Sequence, residues 1–459
     1  MRSQLNLLNR RDIFKVLAVG AALGPCVTPG LAVSNTQTHE NNSTSLPSVD
    51  VIVCGGGPSG IAAAIMAARQ GRKTLLVERY GRLGGAAVQS MVGPLMGKVQ
   101  SPWVDKILKY LGGRRVDYEF IDLKYAELLE DAGAGFLLHA PVVEPICENN
   151  RVNGIRILTK QGLVDLSAKV TVDATGDGDV AFGAGAEFDI GRGESSLWEA
   201  DGLCQPMTIM FRVSGINHAE TMEANGGRRD YRFPDGRSWN DLTQQACSRG
   251  ELPPEVGFVR TYTAQRNEDR IINATQVNGL DGTDVSDLTK AELYCRRQTE
   301  PIIKFLKKKA PGFQNAYVSG MPAVIGVRET RRIRGLECLK MKDLLEGRKW
   351  DSAVVHGASF PIDIHNPSGA GQAIGYVLGN DPKVKPYDIP YGCLVPRKID
   401  GLLTAGRCIS GTHEAMASYR VQVIAMATGL AAGTAAALAA EDNILPRDVD
   451  VRKIQKIVF

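Results

Sequence analysis

Short apolar runs, helical stretches and turn residues alternate along this chain. After a polar stretch, residues 49–54 (VDVIVC) are almost wholly apolar and read as a strand covered on both faces. An alanine-rich helical segment follows, and KTLLV (73–77) gives a second buried strand, the opening of a βαβ unit. From Gly135 to Asp179, short apolar runs are separated by turn residues. They predict a parallel strand, a small meander turning near Asn149–Asn150 and Gln161–Gly162, and a further buried strand, KVTVDA. Near the far end, LLTA predicts one more strand. The helix after it is so rich in Ala and Gly that it must pack closely on its neighbours. No internal repeat is present, and the pattern as a whole predicts an α/β protein.

The residues between these elements carry the chemistry. Gly55, Gly57 and Gly60 stand in GxGxxG register, with Pro58 and Ser59 at the predicted helix start. The first glycine permits a tight turn out of the strand, the second lets N–H groups approach a pyrophosphate, and the third lets the helix lie close to the sheet. Glu78, beside Arg79 at the end of the second strand, has the spacing of a carboxylate that meets a ribose 2′-hydroxyl. That acid opposes a 2′-phosphate and so excludes NADP, while leaving NAD and FAD open. ATGDGD, with Gly176 and Asp177, falls at the carboxyl end of a strand, where ligands bind in open α/β sheets. SGAGQAIG (368–375) imitates a second cradle, but prolines break the strand expected before it and no strand ending in an acid follows; a pocket-lining loop is the reading taken.

Composition sets the outer bounds. The 459 residues, 44% hydrophobic and 23% charged, suffice for a large core and two closely joined domains. A net charge of +4, with no basic run interleaved with aromatics, excludes a nucleic-acid partner. Lys307–Lys309 reads as a solvated helix face. Asn9–Lys15 (NRRDIFK) precedes an apolar, small-residue run, the pattern of a twin-arginine signal over 1–34 with cleavage near Ala32 or Ser34, and 35–48 reads as a linker. The run is too short and glycine-broken for a permanent membrane span, so a periplasmic or secreted protein is expected. Beyond the leader, eight scattered cysteines contain no CxxC, which argues against a zinc site, c-type haem or redox dithiol; no metal is expected, and disulfides stay open.

GGGPSG with Glu78, GRLGG (81–85), VDATGDGD and LLTAGRCIS before the alanine-rich helix together resemble the FAD-dependent oxidoreductases of the glutathione-reductase-like flavoprotein fold, including xanthan lyase-like members. PAVIGVRETRRIRG (322–335), FPIDIHNPSG (360–369) and PYGCLVPRKIDGLLTAGR (390–407) extend the likeness over nearly all of the chain past the leader. The resemblance implies FAD rather than NAD. It also implies a discontinuous FAD-binding Rossmann domain (49–185 and 394–445) with an inserted α+β substrate domain (186–393). By that likeness Gly55, Gly57, Pro58, Ser59, Gly60, Glu78, Arg79, Gly84, Gly85, Val143, Gly176, Asp177, Gly406, Arg407 and Val421 lie near FAD, Val143 through its main chain on adenine. Family members tend to carry an arginine where NATQ (273–276) here has Gln276.

Hydride transfer to a flavin calls for positive potential where negative charge gathers and a base beside the substrate. Arg420, at the entry of the last helix, is the candidate for the first; His413 is preferred as the base, with His365 second. Arg328 is placed on a substrate oxygen or carboxylate, whereas Arg331 and Arg332 pair internally with Glu329 or Glu337. Each of these retains a purely structural alternative. The function expected is hydride transfer between flavin and a small polar substrate, a sugar-derived alcohol being suggested by Trp198, Tyr231 and Trp239. A reductase of a polar C=C bond and a flavin electron carrier without turnover are the alternatives. The electron partner is a quinone, a cytochrome or oxygen.

Overall fold

A computed structural model describes residues 44–45, 48–115, 117–193, 200–223, 232–233, 235–374 and 382–459. The leader reading (1–34) and the side chains of Trp198 and Tyr231 lie outside them.

The principal sheet is built around the long strand Gly162–Asp173, which changes partners halfway. Its first half runs antiparallel to Arg151–Thr159, completing the meander with Val142–Glu148. Its second half is parallel to Val49–Cys54 on one side and to Leu402–Thr404 on the other. Thr74–Val77 and then Gly135–Leu137 extend the parallel part beyond Val49–Cys54. These central strands are buried on both faces, which is why they read as continuous apolar runs. The meander turns at Asn149 and Asn150, both at positive φ, a conformation asparagine tolerates better than most residues.

Two helices fix what lies above this sheet. Pro58–Arg69 leaves the first strand, and Gln422–Asp442 returns at the other end of the chain to cross it. Their backbones meet at Gly429 and Gly433. A Cβ at Gly429 would lie 2.8 Å from Ser59 Cα, and one at Gly433 2.7 Å from Ala63 Cα, with the carbonyl oxygens closer still. The alanine-rich sequence of Gln422–Asp442 therefore serves close approach on all sides. Although long and apolar enough to cross a membrane, its most apolar window is 94% buried within the protein.

A separate antiparallel sheet has the order Arg260–Thr263, Arg270–Asn273, Met210–Ser214, Tyr317–Gly320. Alternation divides its faces. Phe211, Val213 and Ile272 pack beneath Trp239 and Phe305, while Met210, Asn273, Arg260 and Tyr262 face the main body. Trp239, one of the sugar-pocket candidates, is thus a core residue; it stacks on Phe233 and donates its indole N–H to Val259 O at 2.9 Å. Gln372–Ile374 pairs antiparallel with Ile364–His365, so the glycine-rich segment between them is a hairpin tip and not a second nucleotide cradle. Lys307–Lys309 close the helix Val285–Lys309, where cations complement its C-terminal dipole. All eight cysteines among the described residues are free, and these residues hold no metal-ligating cluster.

Candidate functional site

A cavity of about 1440 Å³ opens between the parallel sheet, the two crossing helices and the face of the antiparallel sheet. One end is the glycine cradle. Gly55 turns at φ +103°, and a Cβ there would press to 2.8 Å of the Ala174 carbonyl carbon. A Cβ on Gly60 would meet the Gly55 carbonyl group, which fixes the helix close to the strand. Gly57 differs: its nearest neighbour in that direction is Gly85 Cα at 3.9 Å, so a side chain would stand in the cavity itself. Gly85 packs back against Gly57, and Gly84 turns at φ +109° behind the wall.

Four helices that begin elsewhere, after Ser101, Ser238, Asp284 and Asp450, are capped by those side chains. The two long helices that begin at the cavity are not, nor are the short helices Ala86–Gln89 and Asp179–Gly183 on its wall or Ile121–Ala132 away from it. Pro58–Arg69 follows Gly57 and Gln422–Asp442 follows Val421, neither with a side-chain cap, and Pro58, Ser59, Val421 and Gln422 all line the cavity. Their first N–H groups and positive dipole ends face this space, an arrangement suited to a pyrophosphate at one helix and an electron-rich carbonyl at the other.

Glu78 lines the same wall. It accepts from Gly56 N at 2.6 Å through one oxygen and from Tyr80 N at 2.8 Å through the other, leaving lone pairs for a ribose hydroxyl. Burial pushes its carboxyl above the usual range, against the pull of those donors. The neighbouring wall is made by Ala140, Pro141 and Val142, whereas Val143 is exposed. Gly176 and Asp177 reach the cavity, and Arg407 binds both, donating to Gly176 O at 2.9 Å and pairing with the Asp177 carboxylate. Arg79 approaches the same carboxylate at 3.9 Å. Gly406 lies behind, where a Cβ would touch Ser59 Oγ at 2.6 Å.

The opposite end of the cavity is cationic. Arg420 donates to Asp363 O at 3.0 Å and pairs with the Asp363 carboxylate at 3.3 Å. Arg328 is held by neutral acceptors, Pro206 O at 2.6 Å and Asn273 Oδ1 at 3.4 Å. Burial, with Arg420 and Arg260 nearby, pushes the Arg328 guanidinium down to about 9, and burial also lowers Arg420. His365 lines the wall, 5% exposed; burial first, then these three arginines, hold its imidazole well below its ordinary value, so it is neutral at pH 7. A neutral imidazole can accept a proton.

His413, preferred from sequence, is not at this wall. It is buried, with Nδ1 2.8 Å from Glu329 Oε1, and that carboxylate also pairs with Arg332. Burial works to raise Glu329, but His413 and Arg332 outweigh it and hold the carboxyl below its usual range. Of the two histidines expected near the flavin, His365 lines the cavity and His413 stands behind its wall. Arg331 pairs with Asp179, not with Glu329 or Glu337. Gln276 bonds Gly369 O at 2.8 Å and lies outside the cavity.

Sequence reasoning missed Arg260, Tyr262 and Asn273. Arg260 and Tyr262 are alternate residues of one strand, and Asn273 is the register partner of Arg260. The signal was the spacing of RTY (260–262), polar and aromatic groups on one face of a short strand, whose meaning depends on which face meets the cavity.

A family model described as FAD dependent oxidoreductase matches residues 50–458. A thiamine thiazole synthase of Methanococcus aeolicus is 35% identical over 177 residues, covering 34% of this chain and 66% of that protein. A digeranylgeranylglycerophospholipid reductase of Picrophilus torridus is 28% identical over 28% of this chain and 39% of its own length. Among solved structures, a geranylgeranyl bacteriochlorophyll reductase-like protein of Thermoplasma acidophilum aligns with a TM-score of 0.44 at 16% identity, covering 89% of this chain and 82% of the other. The flavin-dependent brominase Bmp2 aligns with a TM-score of 0.45 at 12% identity, over 89% and 82% of the two chains.

Proposed function

Because this chain belongs to the FAD dependent oxidoreductase family, we propose that it transfers a hydride between FAD and a small polar substrate held against Arg328, His365 and Arg420. The observation that carries this reading is the continuity of one cavity from the glycine cradle to the cationic wall. FAD is the cofactor, and it supplies the two-electron chemistry. Gly57, Ser59 and the N-terminus of Pro58–Arg69 would hold the pyrophosphate, Glu78 the ribose, and Val421 with the N-terminus of Gln422–Asp442 the flavin's carbonyl edge.

The remaining work falls to side chains. His365, neutral in its buried setting, accepts the proton that a substrate hydroxyl or amine gives up as its C–H hydride leaves, and returns it in the reverse direction. Arg420, adjoining the uncapped helix start, offsets negative charge arriving near the flavin carbonyl. Phe258, Tyr262 and Phe360 give the substrate space apolar walls that limit water. A carrier without turnover has no use for this second chamber. With Trp239 in the core, no described residue narrows the substrate to a sugar-derived alcohol.

The proposal includes the glutathione-reductase-like wiring, with 49–185 and 394–445 forming the FAD domain around 186–393; the parallel sheet's use of strands from both ends of the chain supports it. It also includes export by the twin-arginine route, on the strength of Arg10 and Arg11 before an apolar run. Replacing both with lysine should retain a folded, yellow precursor in the cytoplasm, and unchanged export would refute that part. The activity is tested by anaerobic mixing of the purified yellow protein with alcohols, amines and hydroxy acids. Bleaching of the flavin by one class supports the reading; no reduction by any class, with the reduced flavin also failing to reduce polar alkenes, overturns it.

A further inference from the structure

We propose that Arg260, Arg328 and Arg420 form an anion subsite for an organic carboxylate, so that the substrate of this enzyme carries a carboxylate group. The proposal rests on reading the cationic chamber as the flavin's substrate pocket. Three guanidinium groups reach this wall of the cavity, and the carboxylate that answers them there is Asp363 alone among the described residues. Other nearby acids are already committed. Asp177 pairs with Arg407, Glu329 with Arg332 and His413, and Glu292 with Arg296 and the Ile325 N–H.

The arginines are also incompletely bonded. Arg328, 7% exposed, has only neutral oxygens as partners, Arg260 bonds the neutral side-chain oxygen of Gln372, and the buried Nε of Arg420 has no hydrogen-bond partner among the described residues. Desolvated cations short of counter-charge raise the energy of the empty site, and a bidentate carboxylate supplies both the charge and the acceptors. The downward shift of Arg328, caused by burial and by the other two arginines, expresses the same deficit. Phe258, over which the Arg260 guanidinium sits at 4.9 Å, stands with Tyr262 and Phe360 beside the cluster. Those walls suit the carbon skeleton of an organic acid better than a hydrated inorganic ion.

The test uses the flavin-loaded protein with benzoate, its neutral isostere benzamide, and inorganic phosphate, followed by calorimetry and by perturbation of the flavin spectrum. Benzoate should bind and shift the spectrum, whereas benzamide and phosphate should bind at least tenfold more weakly. Losing hydrogen bonds to a charged group should make Arg328→Gln and Arg260→Gln weaken benzoate by about 10- to 100-fold, with flavin content unchanged. Benzamide binding as tightly as benzoate, full benzoate affinity in both variants, or phosphate binding as tightly as benzoate would each overturn the carboxylate subsite. Should one variant fail to fold, the other variant and the isostere comparison on the unaltered protein still decide. Protein that binds benzoate by calorimetry but holds no flavin would instead sink the oxidoreductase reading and spare the subsite.

Discussion

Substituting Gly429 by alanine sets two physical effects against each other with opposite signs. Gly429 lies inside a long helix at ordinary helical backbone angles, so intrinsic propensity alone predicts stabilisation by about 1 kcal/mol. Packing predicts the reverse. The new Cβ would lie 2.8 Å from Ser59 Cα, where ordinary contact begins near 3.4 Å, and nearer still to the Ser59 carbonyl oxygen. The obstacle is main chain at the first turn of the cradle helix, so no side chain can swing aside, and the helices must part by at least about 0.6 Å. Overpacking of this kind costs ~1–3 kcal/mol, and a backbone obstacle belongs at the upper end. The expected net change is a loss of about 2 kcal/mol. Because the displaced helix carries Gly57 and Ser59, FAD affinity should fall as well. Urea unfolding of the flavin-free protein, alongside flavin content after dialysis, measures both. A Gly429→Ala protein that is more stable by about 1 kcal/mol and keeps its flavin would refute the close crossing of these helices.

Gly57→Val should behave in the complementary way, retaining the melting temperature of the flavin-free protein but losing FAD, since its side chain enters the cavity and not the protein; a normal yellow variant would contradict this. His365→Asn should slow flavin reduction by about 10²- to 10⁴-fold with FAD still bound, and stopped-flow traces at the native rate would remove His365 as the base. The same histidine sets a pH dependence. Its depressed value in the folded state means its contribution to stability is full above the ordinary value of about 6.5 and is lost as pH falls below it, because the unfolded chain then takes up a proton that the folded one refuses. Urea midpoints from pH 7 down to 5 should therefore fall less in His365→Asn than in the unaltered protein. Arg420→Met should lower the flavin midpoint potential while Arg420→Lys largely preserves it; equal potentials in a redox titration would leave Arg420 as a partner of Asp363 only.

The cradle was legible in sequence because its requirements are local. Gly55, Gly57 and Gly60 must sit at fixed intervals between a strand and a helix, and Glu78 at the end of the next strand, so spacing alone finds them. The helix Gln422–Asp442 was readable for a related reason, as its small residues allow close packing, and only Gly permits the approach seen at Gly429 and Gly433. His413 shows where such reasoning stops. Its position between LLTA and the last helix brought it near the flavin in sequence, but a helix start at His413 turned its ring toward Glu329 and away from the cavity. His365 and Arg260 reach the wall by means of a hairpin and an antiparallel sheet, whose pairings join distant segments and leave no periodic trace. Which face of a short strand meets a cavity is settled by tertiary packing, and composition carries little of it.

The cofactor chamber draws its walls from residues 55–59, from 174–179 and from 407–425. The helix that crosses the cradle, Gln422–Asp442, is made near the end, so a chain emerging from the ribosome holds only half of a binding site until its final fifth has been synthesised. FAD can then act as a late latch, entering when the two ends meet and joining the early strand Val49–Cys54 to the late helix Gln422–Asp442. Shortened chains ending before Gln422 should consequently be colourless however well their first half is folded.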